Sequence, residues 1–225
     1  MKTMLITGAS SDIGAETARH AVAAGYKVGL AARSAEKLTG LVDELGADNA
    51  LAITCDVTEW TDQQTMAATM LDAYGRIDVV FANAGLGATA AGTEAGEVEN
   101  WKEMVLVNVY GAALTVKATF AALKETKGHL LLTGSRAGRG AIRGSVYGAT
   151  KWAITGYGQN MREELAGTGC RVTLIEPGMV DTPFFDSPKP QGLKAEDVAN
   201  AVMYAVSQPP HVDVSELLVL PVRSS

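Results

Sequence analysis

The sequence predicts an α/β fold in which helices cover both faces of a doubly wound parallel sheet, and three observations lead to it. Short apolar runs, such as 77–82, alternate with longer segments in which apolar residues recur at helical spacing. The short runs are apolar on both faces, which suits strands in a sheet that is covered on both sides. Strands separated by helices pair in parallel, so the alternation favours a doubly wound sheet.

Each element is predicted from its own run of residues. Apolar or β-branched runs predict seven strands over 3–7, 26–32, 49–54, 77–82, 128–133, 170–176 and 216–221. Helical periodicity, often opened by Ser, Asp or Thr and closed by Gly, predicts helices over 13–24, 35–45, 61–74, 97–125, 146–166 and 195–206. We therefore expect one Rossmann-type domain over residues 1–225, with a seven-stranded parallel sheet. Three prolines in 183–193 predict a flexible substrate loop, with a disordered connector as the alternative.

The composition excludes several classes of protein. The chain has 225 residues, of which 47% are hydrophobic and 20% charged, with a net charge of −6. This favours a soluble, cytoplasmic protein and makes nucleic acid an unexpected partner. No membrane contact is expected, because no stretch reads as a spanning segment. Cys55 and Cys170 are interpreted as core residues, and no metal site is expected because the three histidines are scattered.

A glycine-rich turn follows the first predicted strand, in the sequence TGASSDIG from Thr7 to Gly14. Ligands of doubly wound sheets bind beyond the carboxyl ends of the strands. Gly8 allows a tight turn, Ser10 and Ser11 offer hydroxyl groups, and the amino terminus of the following helix presents amides to a pyrophosphate. A turn without a ligand is the alternative interpretation.

The second predicted strand ends at Arg33, where a dinucleotide fold usually carries an acidic residue. An arginine there can bind the 2′-phosphate that a carboxylate would repel, so NADP(H) is favoured over NAD(H). A solvated arginine at a helix start is the alternative. The third predicted strand runs into Asp56 and Val57, and the fourth runs into Asn83, Ala84 and Gly85. Polar groups at these successive strand ends would line one continuous groove.

Tyr147 and Lys151 are spaced by one helical turn in the predicted helix 146–166. An ammonium beside a phenol, together with an oxidised nicotinamide, is expected to lower the pKa of Tyr147 from about 10. Tyr147 is therefore a candidate general acid and base. Ser135, at the end of the fifth strand, can hydrogen-bond the oxygen of the substrate.

With these motifs together, the chain resembles the short-chain dehydrogenase/reductase family over nearly its whole length. The matching motifs are TGASSDIG, Asp56-Val57, Asn83-Ala84-Gly85, Asn108, Ser135, Tyr147 with Lys151, and Pro177-Gly178 with Thr182. The resemblance implies a catalytic tetrad of Asn108, Ser135, Tyr147 and Lys151. It also implies that Lys151 binds the nicotinamide ribose, that Asn108 holds a water of a proton relay, and that Val180 and Thr182 position the carboxamide. The implied cofactor contacts are Gly8, Ser10, Ser11, Ile13, Gly14, Arg33, Asp56, Val57, Asn83, Ala84, Tyr147, Lys151, Gly178, Val180 and Thr182.

Two positions depart from the pattern of the family. Family members usually carry Gly where this chain has Asp12, and a second Asn is common where it has Ala82. We expect the carboxylate of Asp12 to turn away from the cofactor phosphates. If it does not, cofactor affinity should be weaker.

The function expected from the sequence is an NADP(H)-dependent carbonyl reductase or alcohol dehydrogenase acting on a small molecule. A sugar-nucleotide epimerase or dehydratase and a non-catalytic nucleotide-sensing or interaction protein are the alternatives. Arg136, Arg139 and Arg143 either hold an anionic substrate or face solvent or another subunit. The resemblance implies a homo-oligomer, a dimer or tetramer, formed through the long helices.

Overall fold

The computed structural model describes residues 1–184 and 187–222. Seven strands form one parallel sheet: β1 Thr3–Thr7, β2 Lys27–Ala32, β3 Ala50–Thr54, β4 Val79–Ala82, β5 His129–Thr133, β6 Arg171–Pro177 and β7 Glu216–Val219. The sheet order is β3-β2-β1-β4-β5-β6-β7, and every neighbouring pair is parallel. The predicted Rossmann-type fold is confirmed, with strand bounds within two residues of the prediction.

Helices connect the strands and cover the sheet. They are α1 Asp12–Ala23, α2 Ala35–Leu45, α3 Trp60–Tyr74, α4 Gly92–Ala95, α5 Val98–Val105, a π-helical turn Leu106–Gly111, α6 Ala112–Thr126, α7 Val146–Glu164 and α8 Ala195–Ser207. A short 3₁₀ turn, Arg136–Gly138, follows β5. The sequence pattern missed α4 and the 3₁₀ turn, because neither is long enough to establish a periodicity.

The hydrophobic core has two layers, one on each face of the sheet. On one face, α1, α2 and α8 bury small and branched residues against β1, β2 and β4; examples are Ala18, Leu38 and Val202. On the other face, α3, α6 and α7 bury residues such as Met66 and Ile154. Both faces of each central strand are therefore buried, which explains why the sequences of these strands are continuous apolar runs.

The predicted helix 97–125 is one continuous helical segment, Val98–Thr126, that contains the π-helical turn. By length and composition it could cross a membrane, so the expectation that no stretch could do so is wrong in those terms. In this fold the segment buries Asn108, Thr115 and Thr119, and α6 packs on β4 and β5. A core helix of this kind passes the same test of length and apolar composition as a spanning helix.

Both cysteines are free thiols. Cys55 is buried at the end of β3, and burial raises its pKa to about 12. Cys170 is half-buried, and its thiol lies 3.3 Å from the carbonyl oxygen of Leu123. The environment of Cys55 therefore disfavours a reactive thiolate.

Backbone hydrogen bonds hold the carboxyl-terminal end of the predicted substrate loop 183–193. Leu193 is buried, and its amide donates to the carbonyl oxygen of Met179 at 2.9 Å. The amide of Asp181 donates in turn to the carbonyl oxygen of Leu193 at 2.7 Å. Phe185 and Asp186, which the prediction included, lie outside the described residues.

Candidate active site

The carboxyl ends of β1, β4 and β5 are joined by a hydrogen-bonded network. The hydroxyl of Thr7 accepts from the amides of Asn83 and Ala84 at 3.0 and 3.1 Å. The side chain of Asn83 donates to the carbonyl oxygen of Thr7 at 3.1 Å and accepts from the hydroxyl of Thr133 at 3.1 Å. These contacts hold three strand ends together at the edge where ligands of doubly wound sheets bind.

The turn after β1 brings the backbone close to β4. Gly8 has a φ of 66°, and a Cβ there would lie 2.9 Å from the Cα of Ala84. Gly14 packs under the turn, where a Cβ would lie 2.3 Å from the carbonyl oxygen of Gly8. The side chain of Ser11, the residue before α1, makes no capping hydrogen bond to this helix. The turn therefore presents backbone amides at a helix terminus, the arrangement that binds phosphate groups.

Asp12 begins α1 in the left-handed region of backbone space, with a φ of 52°. This conformation favours glycine, which explains why glycine is usual at this position in the family it resembles. Aspartate is one of the side chains that tolerates it, at some cost in strain. Asp12 also lines the same cleft as Ser10 and Ser11.

Arg33 lies at the end of β2, exposed, and lines the cleft with Ser10 and Ser34. Lys37, which the sequence reasoning did not single out, joins them from the first turn of α2.

Burial opposes ionisation of the nearby Asp56. Hydrogen bonds from the backbone and hydroxyl of Thr58, and the charge of Arg33, outweigh burial and lower the pKa of Asp56.

Tyr147 and Ser135 meet at the carboxyl end of β5. Ser135 caps the 3₁₀ turn, and its hydroxyl accepts from the amide of Ala137 at 3.1 Å. Burial raises the pKa of Tyr147 above its ordinary value of 10.0, and a hydrogen bond with Ser135 acts in the opposite direction. The net shift in the pKa is upward, against the expectation from the sequence. The phenol is therefore a proton donor at neutral pH.

Lys151 is buried one helical turn after Tyr147 and is only 4% exposed. Its ammonium donates to the carbonyl oxygen of Thr133 at 2.9 Å and lies 5.8 Å from the centroid of the Tyr147 ring. Burial lowers the pKa of Lys151 to about 8. The ammonium is thus anchored to β5 beside the phenol, where it favours the phenolate electrostatically.

Asn108 lies on the π-helical turn and is buried behind the cleft. Its amide group exchanges hydrogen bonds with the backbone of Leu86, at 2.9 and 3.0 Å, and donates to the hydroxyl of Thr150 at 3.1 Å. That hydroxyl donates to the carbonyl oxygen of Tyr147 at 2.7 Å. Asn108 therefore links the loop after β4 to the helix that carries Tyr147 and Lys151.

Phe184, from the start of the predicted substrate loop, packs against Tyr147. The two rings meet edge to face, with centroids 5.7 Å apart. A Cβ on Gly87 would lie 2.6 Å from the Phe184 ring, so the absence of a side chain at Gly87 lets the ring approach. Sequence reasoning placed a loop here but did not identify the aromatic contact.

The three arginines of the loop after Ser135 have different environments. The guanidinium of Arg139 contacts the buried carboxylate of Glu176 at 2.7 and 2.8 Å, and its Nη2 lies 2.6 Å from Glu216. Arg139 is thus held in ion pairs behind the site, which corrects both sequence-based interpretations of it. Arg136 and Arg143 line the cleft and are exposed.

The cleft has a volume of about 1060 Å³ and collects most of the predicted site residues. Its lining includes Gly8, Ser10, Ser11, Ile13, Arg33, Asp56, Val57, Asn83, Ala84, Ser135, Tyr147, Lys151, Gly178, Val180 and Thr182. Gly14 and Asn108 lie behind this lining rather than in it. Among residues 1–184 and 187–222, no group of three or more His, Cys, Asp or Glu side chains could hold a metal ion.

Comparisons with known proteins agree with this architecture. A family model described as short chain dehydrogenase matches residues 2–191. An uncharacterized oxidoreductase of Staphylococcus epidermidis is 36% identical over 226 residues, covering 98% of this chain and 97% of the relative. The alcohol dehydrogenase of Thermococcus sibiricus, solved with 5-hydroxy-NADP, is 33% identical with a TM-score of 0.93, over 100% of this chain and 98% of that one. A serine dehydrogenase solved with NADP+ is 32% identical with a TM-score of 0.91, over 99% of this chain and 96% of that one. The chain belongs to the short-chain dehydrogenase/reductase family of oxidoreductases.

Proposed function

We propose that this oxidoreductase uses NADP(H) to interconvert a carbonyl compound and a secondary alcohol, with Tyr147 as general acid and base. The observation that carries the proposal is the convergence of Tyr147, Ser135 and Lys151 on one cleft at the carboxyl end of β5. A phenol, a hydroxyl and an ammonium so arranged suit proton transfer to an oxygen that gains negative charge.

The cleft has the features that a dinucleotide needs. The side chain of Ser11 makes no capping hydrogen bond to α1, and Gly8 brings the backbone close to Ala84. Gly85 leaves room beside Lys151, because a Cβ there would lie 3.6 Å from the ammonium and 3.2 Å from Oδ1 of Asn108. These observations support a pyrophosphate at α1 and a nicotinamide ribose near Lys151.

The proton chemistry belongs to the side chains. NADPH, when bound, supplies the hydride that reduces the carbonyl carbon. Tyr147 donates its phenolic proton to the carbonyl oxygen, so the carbonyl gains one hydride and one proton and becomes an alcohol. Ser135 donates a hydrogen bond to the same oxygen, and the ammonium of Lys151 stabilises the phenolate that remains. Asn108, as the family resemblance implies, holds a water through which a proton returns to Tyr147.

The choice of NADP(H) over NAD(H) rests on the residues at the end of β2. Arg33 and Lys37 provide two positive charges, and Ser10 and Ser34 provide hydroxyl groups, all lining the same part of the cleft. This set matches the charge and the acceptor oxygens of a 2′-phosphate. The NADP-type ligands of two solved relatives support the same choice.

The proposal is tested by measuring oxidation of NADPH and NADH in parallel against ketones, aldehydes and keto acids grouped by charge and size. We expect turnover with NADPH and a lower kcat/KM with NADH. Arg33→Ala should raise the KM for NADPH by about tenfold or more, since it removes a charged contact to phosphate, and should change the KM for NADH by less than about twofold. Tight NADPH binding without turnover of any carbonyl would favour a nucleotide-sensing protein instead.

A further inference from the structure

The lining of the cleft also includes residues that the cofactor proposal leaves unassigned. We call them the substrate mouth: the described lining residues from Leu86 to Trp101 and from Arg136 to Val146, together with Met179 and Phe184.

The substrate mouth is basic in a protein that is acidic. The whole chain carries a net charge of −6, yet the described lining of the mouth contains Arg136 and Arg143 and no Asp or Glu. The acidic residues of the cleft, Asp12 and Asp56, line its cofactor half. The mouth is thus the place where an anion entering the cleft meets the least repulsion from the lining.

Arg136 and Arg143 differ from the other arginine of the same loop in what they contact. Arg139 is neutralised by Glu176 and Glu216. Neither Arg136 nor Arg143 forms an ion pair with any described residue. Arg139 therefore has a structural role in the loop. Arg136 and Arg143 line the cleft, and no described carboxylate neutralises their charge.

The positions of the two arginines suit a ligand that also reaches the catalytic side chains. Arg136 directly follows Ser135 in the chain, and Arg143 is four residues before Tyr147. A guanidinium presents a planar fork of donors that fits a carboxylate or a phosphate.

We propose that the substrate carries an anionic group, a carboxylate or a phosphate, and that Arg136 and Arg143 bind this group while Tyr147 and Ser135 engage the carbonyl. This inference rests on the proposed function, because it names the substrate class of the same site. The reaction itself is unchanged: the hydride goes to the carbonyl carbon, the proton of Tyr147 goes to its oxygen, and the anionic group is not altered.

The test compares carbonyl compounds that differ only in charge. One pair is 3-oxobutanoate and its methyl ester, and the other is dihydroxyacetone phosphate and dihydroxyacetone. We expect kcat/KM to be about tenfold higher or more for the anionic member of at least one pair, and the preferred pair identifies the anion as carboxylate or phosphate. The preference should decrease with added salt, because the arginines are exposed.

Two variants locate the anion site, and a third controls for net charge. Arg136→Gln and Arg143→Gln should each lower kcat/KM for the anionic member by about tenfold, mainly through KM, and change the neutral member by less than about twofold. Lys2→Gln removes the same charge at the opposite edge of the sheet, just before β1, and should leave both members unchanged.

Three results would overturn the inference, and they are distinguishable from one another. Equal turnover of neutral and anionic members would show that charge is not recognised. Equal losses on both members in the arginine variants would show that the arginines serve the fold of the loop. Absence of turnover of every carbonyl with either cofactor would reject the proposed function, and the inference with it.

Discussion

Asp12 occupies a position whose backbone conformation favours glycine. A non-glycine residue at a φ of 52° is strained, and here the side chain also lines the cofactor half of the cleft. The sequence indicated that Asp12 was unusual from its position alone. The reason for the usual glycine became visible only in the backbone angle, which no pattern of residue types specifies.

Substitutions of Asp12 distinguish the effect of backbone strain on stability from the effect of the carboxylate charge on NADPH binding. Asp12→Gly should stabilise the protein by about 1 kcal/mol, because glycine adopts the left-handed conformation without a steric penalty. It should also lower the Kd for NADPH, because a carboxylate is removed from the phosphate site. Urea unfolding and fluorescence titration with NADPH measure the two effects.

Asp12→Asn is the matched control for this prediction. It keeps the size of the side chain and removes the charge, so it should share the gain in affinity but not the full gain in stability. An unchanged or raised Kd for NADPH in Asp12→Gly would contradict a repulsive effect of Asp12 on the cofactor and would agree with a carboxylate that turns away from the phosphates.

Lys151 gives the site a pH dependence of known direction. Its pKa is lowered to about 8, so the ammonium loses its charge in the folded protein at a lower pH than in the unfolded chain. Between the folded pKa of about 8 and the ordinary pKa of 10.5 the unfolded chain therefore binds more protons, so the stability of the protein rises with pH over this interval.

We expect the kcat/KM for carbonyl reduction to be flat just below pH 8 and to fall about tenfold per unit above it, as Lys151 loses its charge. Tyr147 does not cause this limb, because burial raises its pKa above 10.0. The measurement is a pH profile at saturating NADPH. A profile that stays flat up to pH 10 would contradict the assignment of the limb to Lys151.

At the scale of elements, an ion pair between Arg139 and the buried Glu176 holds the loop after β5 against β6. Glu176, at the end of β6, is 1% exposed and accepts from Arg139 and from the hydroxyl of Thr155 on α7. A Cβ on Gly138 would lie 2.6 Å from the carbonyl oxygen of Lys151. The segment that carries Ser135 is therefore positioned against both β6 and the catalytic helix.

Breaking this ion pair should loosen the loop. Glu176→Gln should destabilise the protein by about 2 kcal/mol, because Arg139 loses its charged hydrogen bonds to a buried carboxylate and keeps only Glu216, and it should lower kcat more than it raises the KM for NADPH. Glu216→Gln removes the more exposed partner of the same arginine and should cost less than about 1 kcal/mol. Urea unfolding and steady-state kinetics measure both variants, and equal losses in stability would argue against the role of the buried pair.

The elements also show which features of the fold the sequence predicts and which it does not. The strands and most helices follow from periodicity, because burial on two faces imposes a clear apolar pattern. The π-helical turn that carries Asn108 does not, since one extra residue in a helical turn leaves the apolar pattern of 97–125 nearly unchanged. Contacts such as Thr150 to Asn108 depend on how two helices pack, which residue spacing within either helix does not specify.

At the scale of the whole molecule, one group of exposed apolar side chains lies on neighbouring helices that cover one face of the sheet. Val98, Val105, Leu106, Tyr110 and Trp152 lie on α5, the π-helical turn and α7, and Trp152 is 51% exposed. α7 packs on α5 and on the π-helical turn, and exposed apolar side chains on adjoining elements are typical of an interface. It supports the expectation that the protein is a dimer or tetramer formed through its long helices.

Trp152→Glu should therefore reduce the mass of the particle in light scattering after size-exclusion chromatography, because a charge would be buried in the interface. Leu71→Glu places the same charge on an exposed apolar position of α3, which is not one of the elements that carry this group, and should leave the mass unchanged. A wild-type protein that is a monomer, or a Trp152→Glu variant with the wild-type mass, would contradict an interface on this face.

The central claim is that Tyr147 gives the substrate its proton, and Tyr147→Phe tests it most directly. The variant removes one hydroxyl, and the ring can still pack against Phe184. We expect carbonyl reduction with NADPH to fall by at least about 10²-fold, the scale of general acid catalysis, while the Kd for NADPH changes by less than about twofold. Substantial remaining turnover with unchanged NADPH binding would contradict the account, because the proton would then come from another group.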